Sequence, residues 1–139
     1  MNINVKLLDP AARAPYKAHE SDAAIDLFCL CEHYLDPGIP TKVRTGIALE
    51  IPRGFMGLIL DRSSMARDGF FVTGGVIDSG YRGEIQVLLT NSTSKAHMLT
   101  AGQKVAQMAI LPCPEFKINE VLQLMPGERD TRGWGSSGA

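Results

Sequence analysis

Three stretches of this chain carry residue types that can grip phosphate or activate water. Asp61-Arg62-Ser63-Ser64-Met65 offers an arginine fork for phosphate oxygens, two hydroxyls and the free N–H groups of a helix start. Ser63 can equally be the ordinary cap of that helix, and both roles can hold together. Gly74-Gly75-Val76-Ile77-Asp78-Ser79-Gly80-Tyr81-Arg82-Gly83-Glu84 is denser. Its glycines permit close backbone approach to a ligand. Val76 and Ile77 read as strand and would hold Asp78 on a stiff support, with the ring and hydroxyl of Tyr81 close behind. The same residues also read as a β-hairpin whose turn starts at Asp78. The third stretch, 126–139, holds Arg129, Trp134 as its one large aromatic, and Ser136 and Ser137 among glycines. Its composition fits a frayed tail and equally a flexible lid that closes over a base and a phosphate chain.

Other chemistries lack their residues. There is no Gly-x-Ser-x-Gly elbow, and no histidine lies beside these motifs, so a serine nucleophile has no case. His19 and His97 read as surface residues. Neither a Walker loop nor a Gly-x-Gly-x-x-Gly run occurs, so phosphate handling is not of the P-loop kind. Cys29, Cys31 and His33 alternate and would share one face of a strand. Ligands two apart on a flat strand do not readily wrap a tetrahedral ion, so the favoured reading is ordinary half-buried strand residues.

Short strands must position these groups. Ile3, Val5 and Leu7 alternate with polar neighbours, as do Ile47, Leu49 and Ile51. Ile85, Val87 and Leu89, and Val105, Gln107 and Ala109, repeat with the same period of two. Each run ends at turn residues such as Asp36-Pro37-Gly38 or Pro52-Arg53-Gly54. That pattern predicts an all-β chain, a jelly-roll-like barrel or sandwich, with one short helix from Ser63 to Asp68, ended by Gly69. Residues 1–125 read as the β domain and 126–139 as its C-terminal appendage.

Composition sets outer bounds. The chain has 139 residues, about one domain. A net charge of −1 argues against binding nucleic acid through bulk positive charge. No apolar run approaches the roughly 20 residues of a membrane helix, and charged residues interrupt the N-terminus where a secretory signal would lie. Three cysteines without Cys-x-x-Cys spacing predict a reducing compartment, the cytoplasm.

Taken in order, the stretches resemble the dUTPase family (deoxyuridine triphosphate diphosphatase) in its trimeric all-β form. Ala23-Ala24-Ile25-Asp26-Leu27 is similar to the family's first motif and Arg62-Ser63-Ser64-Met65-Ala66 to its second. Gly75 through Ile85 resembles the third almost letter for letter. Gly102-Gln103-Lys104-Val105-Ala106-Gln107-Met108 is similar to the fourth, and Arg129 through Gly138 to the fifth. The third is specific, and five in order at fitting spacing make coincidence improbable.

The resemblance implies hydrolysis of dUTP to dUMP and pyrophosphate with Mg²⁺, by water attack at the α-phosphorus. That reaction limits uracil incorporation into DNA and supplies dUMP for thymidylate synthesis. Asp78 would orient and deprotonate the water. Tyr81 would lie under the deoxyribose and leave no space for a 2′ hydroxyl. The backbone at Val72, Val76 and Ile77 would read the uracil edge, with Gln86 as a further substrate contact. Arg62, Ser63 and Ser64 would hold the phosphate chain and Gln107 the α-phosphate. Asp26 would reach Mg²⁺ through a water. Arg129 would take the γ-phosphate, Trp134 would stack on uracil, and Ser136 and Ser137 would add phosphate donors. The resemblance also implies a homotrimer with shared active sites. Departures from the family pattern are Ala24-Ile25 for Gly-Tyr, Ser64 for Gly, Gly80 for a frequent Asp and Trp134 for Phe; none removes a role-bearing side chain. A close enzyme alternative is a dCTP deaminase of the same fold, and the alternative from another class is a module that senses dUTP and engages a protein partner. The third motif and the glycine-serine tail disfavour the deaminase.

Overall fold

Period-two patterning becomes strands almost wherever it occurs. The computed structural model describes residues 1–127, and Arg129, Trp134, Ser136 and Ser137 lie outside the described residues. In chain order the elements are β1 (Asn4–Leu7), β2 (Ala24–Phe28), β3 (His33–Leu35), β4 (Thr41–Arg44), β5 (Ile47–Glu50) and β6 (Phe55–Leu60). Then come α1 (Ser63–Arg67), β7 (Phe70–Val72), β8 (Val76–Ile77), β9 (Gln86–Asn91), β10 (His97–Leu99) and β11 (Lys104–Pro112). Among the described residues the strands form a four-stranded sheet β2-β11-β6-β8, a three-stranded sheet β4-β9-β7, and the pairs β1-β5 and β10-β3. Every named pairing is antiparallel. The all-β expectation holds, with layered sheets that do not close into a barrel.

Both larger sheets feed one core. Leu27, Ile59 and Met108 from the first join Val43, Val87 and Leu89 from the second in a single buried cluster. Ile85, Val87 and Leu89 have no exposed surface, and each contributes about 1.5–3 kcal/mol by leaving water. The central position of β9 between β4 and β7 explains why its alternation reads so cleanly.

Two runs behave differently. β1 is exposed throughout, with Val5 at 39% and Leu7 at 49%. It pairs only with β5, so its alternation does not face the core; Ile3 alone of that run packs against it. In β11 the register against β2 shifts between Lys104 and Ala106. The extra residue is a β-bulge, which reverses the alternation on its far side. Val105 and Ala106 are therefore both buried, and Lys104 and Gln107 come to share the other face.

The helix forms where expected, and Asp68 caps its C-terminal end. Ser63 is its first residue, not its cap. Arg62 holds the cap position without a side-chain capping bond, so the Ser63 hydroxyl is not committed to the helix. His97 also departs from expectation, half-buried with its ring 4.6 Å from that of Phe70. Beyond β11, residues 113–127 form no strand or helix, and Phe116, Ile118, Leu122, Leu124 and Met125 are 79% exposed or more.

Candidate active site

The first, second and fourth motif-like stretches meet in one row across the four-stranded sheet. Asp26 on β2 lies opposite Gln107 on β11, and Gln107 lies opposite Leu60 at the end of β6. The chain then leaves β6 through Asp61 and Arg62 into α1. Gln107 donates its amide Nε2 to the Asp61 carbonyl at 2.7 Å, fastening β11 to the β6–α1 turn. Asp22, Asp26, Arg62, Ser63, Lys104 and Gln107 line a cleft of about 350 Å³.

Charge in this cleft is arranged around one carboxylate. The Asp26 side chain is 14% exposed, with Oδ1 2.9 Å from Arg62 Nε and Oδ2 2.6 Å from Lys104 Nζ. Lys104 also lies 5.0 Å from the centre of the Tyr16 ring. The hydrogen bond to Asp26 and a second to Tyr16 hold its ammonium above the usual lysine range. The cleft thus combines two cations, a hydroxyl and an amide around the Asp26 carboxylate, a donor set suited to an anionic chain of oxygens. Among the described residues no three His, Cys, Asp or Glu side chains are grouped to hold a metal. One carboxylate fits Mg²⁺ held mainly by phosphate oxygens and waters, not by a protein cage.

The third stretch stands apart. The expected turn forms but no hairpin does, because β8 pairs with β6 while β9 pairs with β4 and β7 in the other sheet. Tyr81 N–H donates to the Asp78 carbonyl at 3.1 Å, closing a turn that starts at Asp78. The Asp78 carboxylate is exposed, and no hydrogen bond among the described residues engages it. Arg82 Nη1 donates to the carbonyls of Ser79 at 2.7 Å and Tyr81 at 2.9 Å, bracing the turn. The Tyr81 hydroxyl donates to the Glu84 carbonyl at 3.0 Å. Its ring lies against Gly83, where a methyl group would fall 2.5 Å from the hydroxyl oxygen. Asp78 lines a separate open groove of about 1070 Å³ with Glu50, Arg53, Phe55, Arg82 and residues 113–117. The two clefts share no lining residue.

The remaining expected residues divide as follows. Val76 and Ile77 pair with Leu58 and Gly57 of β6, and the Val76 side chain is 62% exposed. The Val72 N–H donates to the Asp61 carboxylate, so that amide is already engaged. Ser64 is exposed and lines neither cleft. Gln86 also lines neither, and its amide lies 3.4 Å from a Glu84 oxygen. Cys29, Cys31 and His33 do not share a strand face, because β2 ends at Phe28 and β3 begins at His33. Cys29 is buried and Cys31 exposed, and the His33 Nε2 accepts the Arg44 N–H at 3.2 Å.

Sequence reasoning passed over Lys104, Asp61 and Glu84. Lys104 and Gln107 are three apart, which on a regular strand means opposite faces; only the bulge joins them. Asp61 was visible beside Arg62, but its bond to Val72 joins segments eleven residues apart. Glu84 ties the segment after the Asp78 turn to the end of β4: its carboxylate accepts from Gly46 N–H at 2.9 Å and Arg44 Nε at 3.2 Å. Burial pushes the Glu84 carboxyl up, but those two donors with Gln86 outweigh it and hold the group below its ordinary value. A depressed carboxyl stabilises the fold above the unfolded pKa of about 4.3, and that contribution fades as pH falls through the lower folded value. Between about pH 6 and about pH 3 the urea midpoint of the parent protein should therefore fall further than that of Glu84→Gln. Equal slopes in the two proteins would show that Glu84 does not anchor this segment through its charge.

A family model described as dUTPase matches residues 11–138. The deoxyuridine 5'-triphosphate nucleotidohydrolase of Gloeobacter violaceus is 45% identical over 129 residues, covering 89% of this chain and 88% of the relative. The one from Trichodesmium erythraeum is 38% identical over 141 residues, covering 99% of each chain. Among solved structures, a mutant of the Staphylococcus bacteriophage 80alpha dUTPase with dUpNHpp superposes with a TM-score of 0.91 at 25% identity, covering 99% of each chain.

Proposed function

From the premise that this chain belongs to the dUTPase family, we propose that its two clefts are complementary parts of an active site that hydrolyses dUTP to dUMP and pyrophosphate. The chain is a dUTP diphosphatase. What carries the reading of the site is the convergence of Asp26, Arg62, Ser63 and Gln107, from three motif-like stretches, on one small cleft rich in donors. Arg62 and Ser63, with Ser64 beyond them, would hold the phosphate chain, and Gln107 the α-phosphate. Asp78 would take a proton from the attacking water as its oxygen bonds to the α-phosphorus and the bond to the leaving pyrophosphate breaks. Tyr81, seated on Gly83, would back the deoxyribose and exclude a 2′ hydroxyl by volume. The backbone at Val72, Val76 and Ile77 remains the proposed reader of the uracil edge, with Gln86 as a further substrate contact; the engaged Val72 N–H leaves only the rest of its backbone for that task. When bound, Mg²⁺ would offset charge on the phosphate oxygens, and Asp26 would hold it through water.

Asp78 and Asp26 line different clefts of one chain. That separation supports a homotrimer in which one chain supplies the Asp78 turn and its neighbour the phosphate cleft. The exposed apolar side chains of Phe116, Ile118, Leu122, Leu124 and Met125 support the same assembly, since such surface normally meets a partner. Residues 126–139 would act as the flexible lid of the 1–125 domain, bringing Arg129, Trp134, Ser136 and Ser137 to the nucleotide. Three free cysteines fit action in a reducing cytoplasm.

Pyrophosphate release with Mg²⁺ from dUTP, dCTP, dTTP and UTP, measured side by side, tests the proposal. Release from dUTP alone is expected. Equal release from UTP would remove Tyr81 from sugar selection. Silence from every nucleotide, with dUTP still bound, would favour the sensing module over the hydrolase.

A further inference from the structure

We propose that Lys104 is a positioning residue that clamps the Asp26 carboxylate in the phosphate cleft and sets how much divalent cation the site requires. This rests on the hydrolase reading above, in which Asp26 holds Mg²⁺ through water.

The geometry is specific. Each oxygen of Asp26 already has one cation, Arg62 Nε at 2.9 Å and Lys104 Nζ at 2.6 Å. The backbone behind them is tied down. Asp26 N–H donates to the Tyr16 carbonyl at 2.9 Å. The Tyr16 ring stacks on Phe28 with centroids 5.7 Å apart and a 20° angle between planes, and it lies under the Lys104 ammonium. Lys104 itself is opposite Phe28 in the ladder. The bulge at Val105 is what turns Lys104 onto the cleft face beside Gln107.

The two cations are not equivalent. Arg62 carries a planar fork at the mouth of α1 and is assigned to phosphate; its charge is needed there with or without metal. Lys104 is a point charge on a flexible four-carbon stem. For Asp26 to turn toward a hydrated Mg²⁺ that arrives with the triphosphate, one of its two partners must yield. The lysine yields at lower cost, because its ammonium can swing on its flexible stem toward a phosphate oxygen, while Arg62 is held at the start of α1. Before nucleotide arrives, Lys104 keeps Asp26 in the cleft and neutralised. Afterwards it is displaced. Competition of this kind raises the cation concentration needed for tight nucleotide binding.

The test is calorimetric binding of a dUTP analogue with a nitrogen at the scissile bridge, titrated at a series of Mg²⁺ concentrations. The parent protein, Lys104→Met and Lys104→Arg are compared. No hydrolysis is involved. In Lys104→Met the Mg²⁺ concentration giving half-maximal affinity should fall by about tenfold, the equivalent of about 1.4 kcal/mol. Lys104→Arg, whose fork yields less readily, should raise it above the parent value. A half-maximal Mg²⁺ concentration that is unchanged or higher in Lys104→Met overturns the proposal. Lys104→Gln, which keeps a polar tip, covers the case in which the methionine variant fails to fold, and the same shift is expected of it. Failure of the parent to bind the analogue would instead overturn the hydrolase reading, so the two failures are distinguishable.

Discussion

Replacing Asp78 by asparagine should lower turnover of dUTP by about 10²–10⁴-fold, the range that a positioned general base contributes. Folding and nucleotide binding should barely change. The structure explains why the effect should be so selective. The turn is held by backbone and by its neighbours: Tyr81 N–H on the Asp78 carbonyl, and Arg82 on the carbonyls of Ser79 and Tyr81. The Asp78 carboxylate takes part in none of these bonds. Asparagine keeps the shape and the turn preference but cannot accept the water's proton. Single-turnover rates and analogue affinity should be measured on the same preparation. A loss of affinity as large as the loss of rate would remove Asp78 from the role of base and make it a binding residue.

Gly75→Ala should destabilise the chain by about 1–3 kcal/mol, the usual cost of forcing atoms into a filled space. A methyl group at Gly75 would sit 2.5 Å from the Ile59 carbonyl oxygen and 3.2 Å from the Ile59 Cβ. Neither neighbour can yield cheaply. Ile59 is 3% exposed within the core, and its N–H donates to the Gly75 carbonyl at 2.8 Å. Moving β8 away from β6 would break that bond and carry Ile77 and Asp78 with it. Turnover should therefore fall along with the melting temperature. Gly80→Ala is the matched control, with nothing within 4 Å of its added carbon, and its melting temperature should hold. Unchanged melting of Gly75→Ala would show that β8 tolerates displacement and does not stiffly support Asp78.

Much of the architecture was legible because its signals are local. Ile85, Val87 and Leu89 alternate and are all fully buried, since β9 is flanked on both sides and has one face on the core. The helix after Arg62 and its end before Gly69 were legible for the same reason. The run at Ile3, Val5 and Leu7 has the same alternation, yet β1 lies outside the core with β5 as its only strand partner. Alternation reports that a strand has two unlike faces. It does not say what covers them.

By itself the sequence determined the strand-rich class, the short helix, the family and hence the reaction, because residue types and their spacing are properties of a single stretch. Only the tertiary structure decided which of those residues meet. It turned Lys104 onto the face of Gln107 through a bulge, gave the Val72 amide to Asp61, and put Asp78 in a different cleft from Asp26. These depend on how distant strands pair and slip against one another. A one-residue shift of register reverses every side chain beyond it, and neither strand alone records that shift.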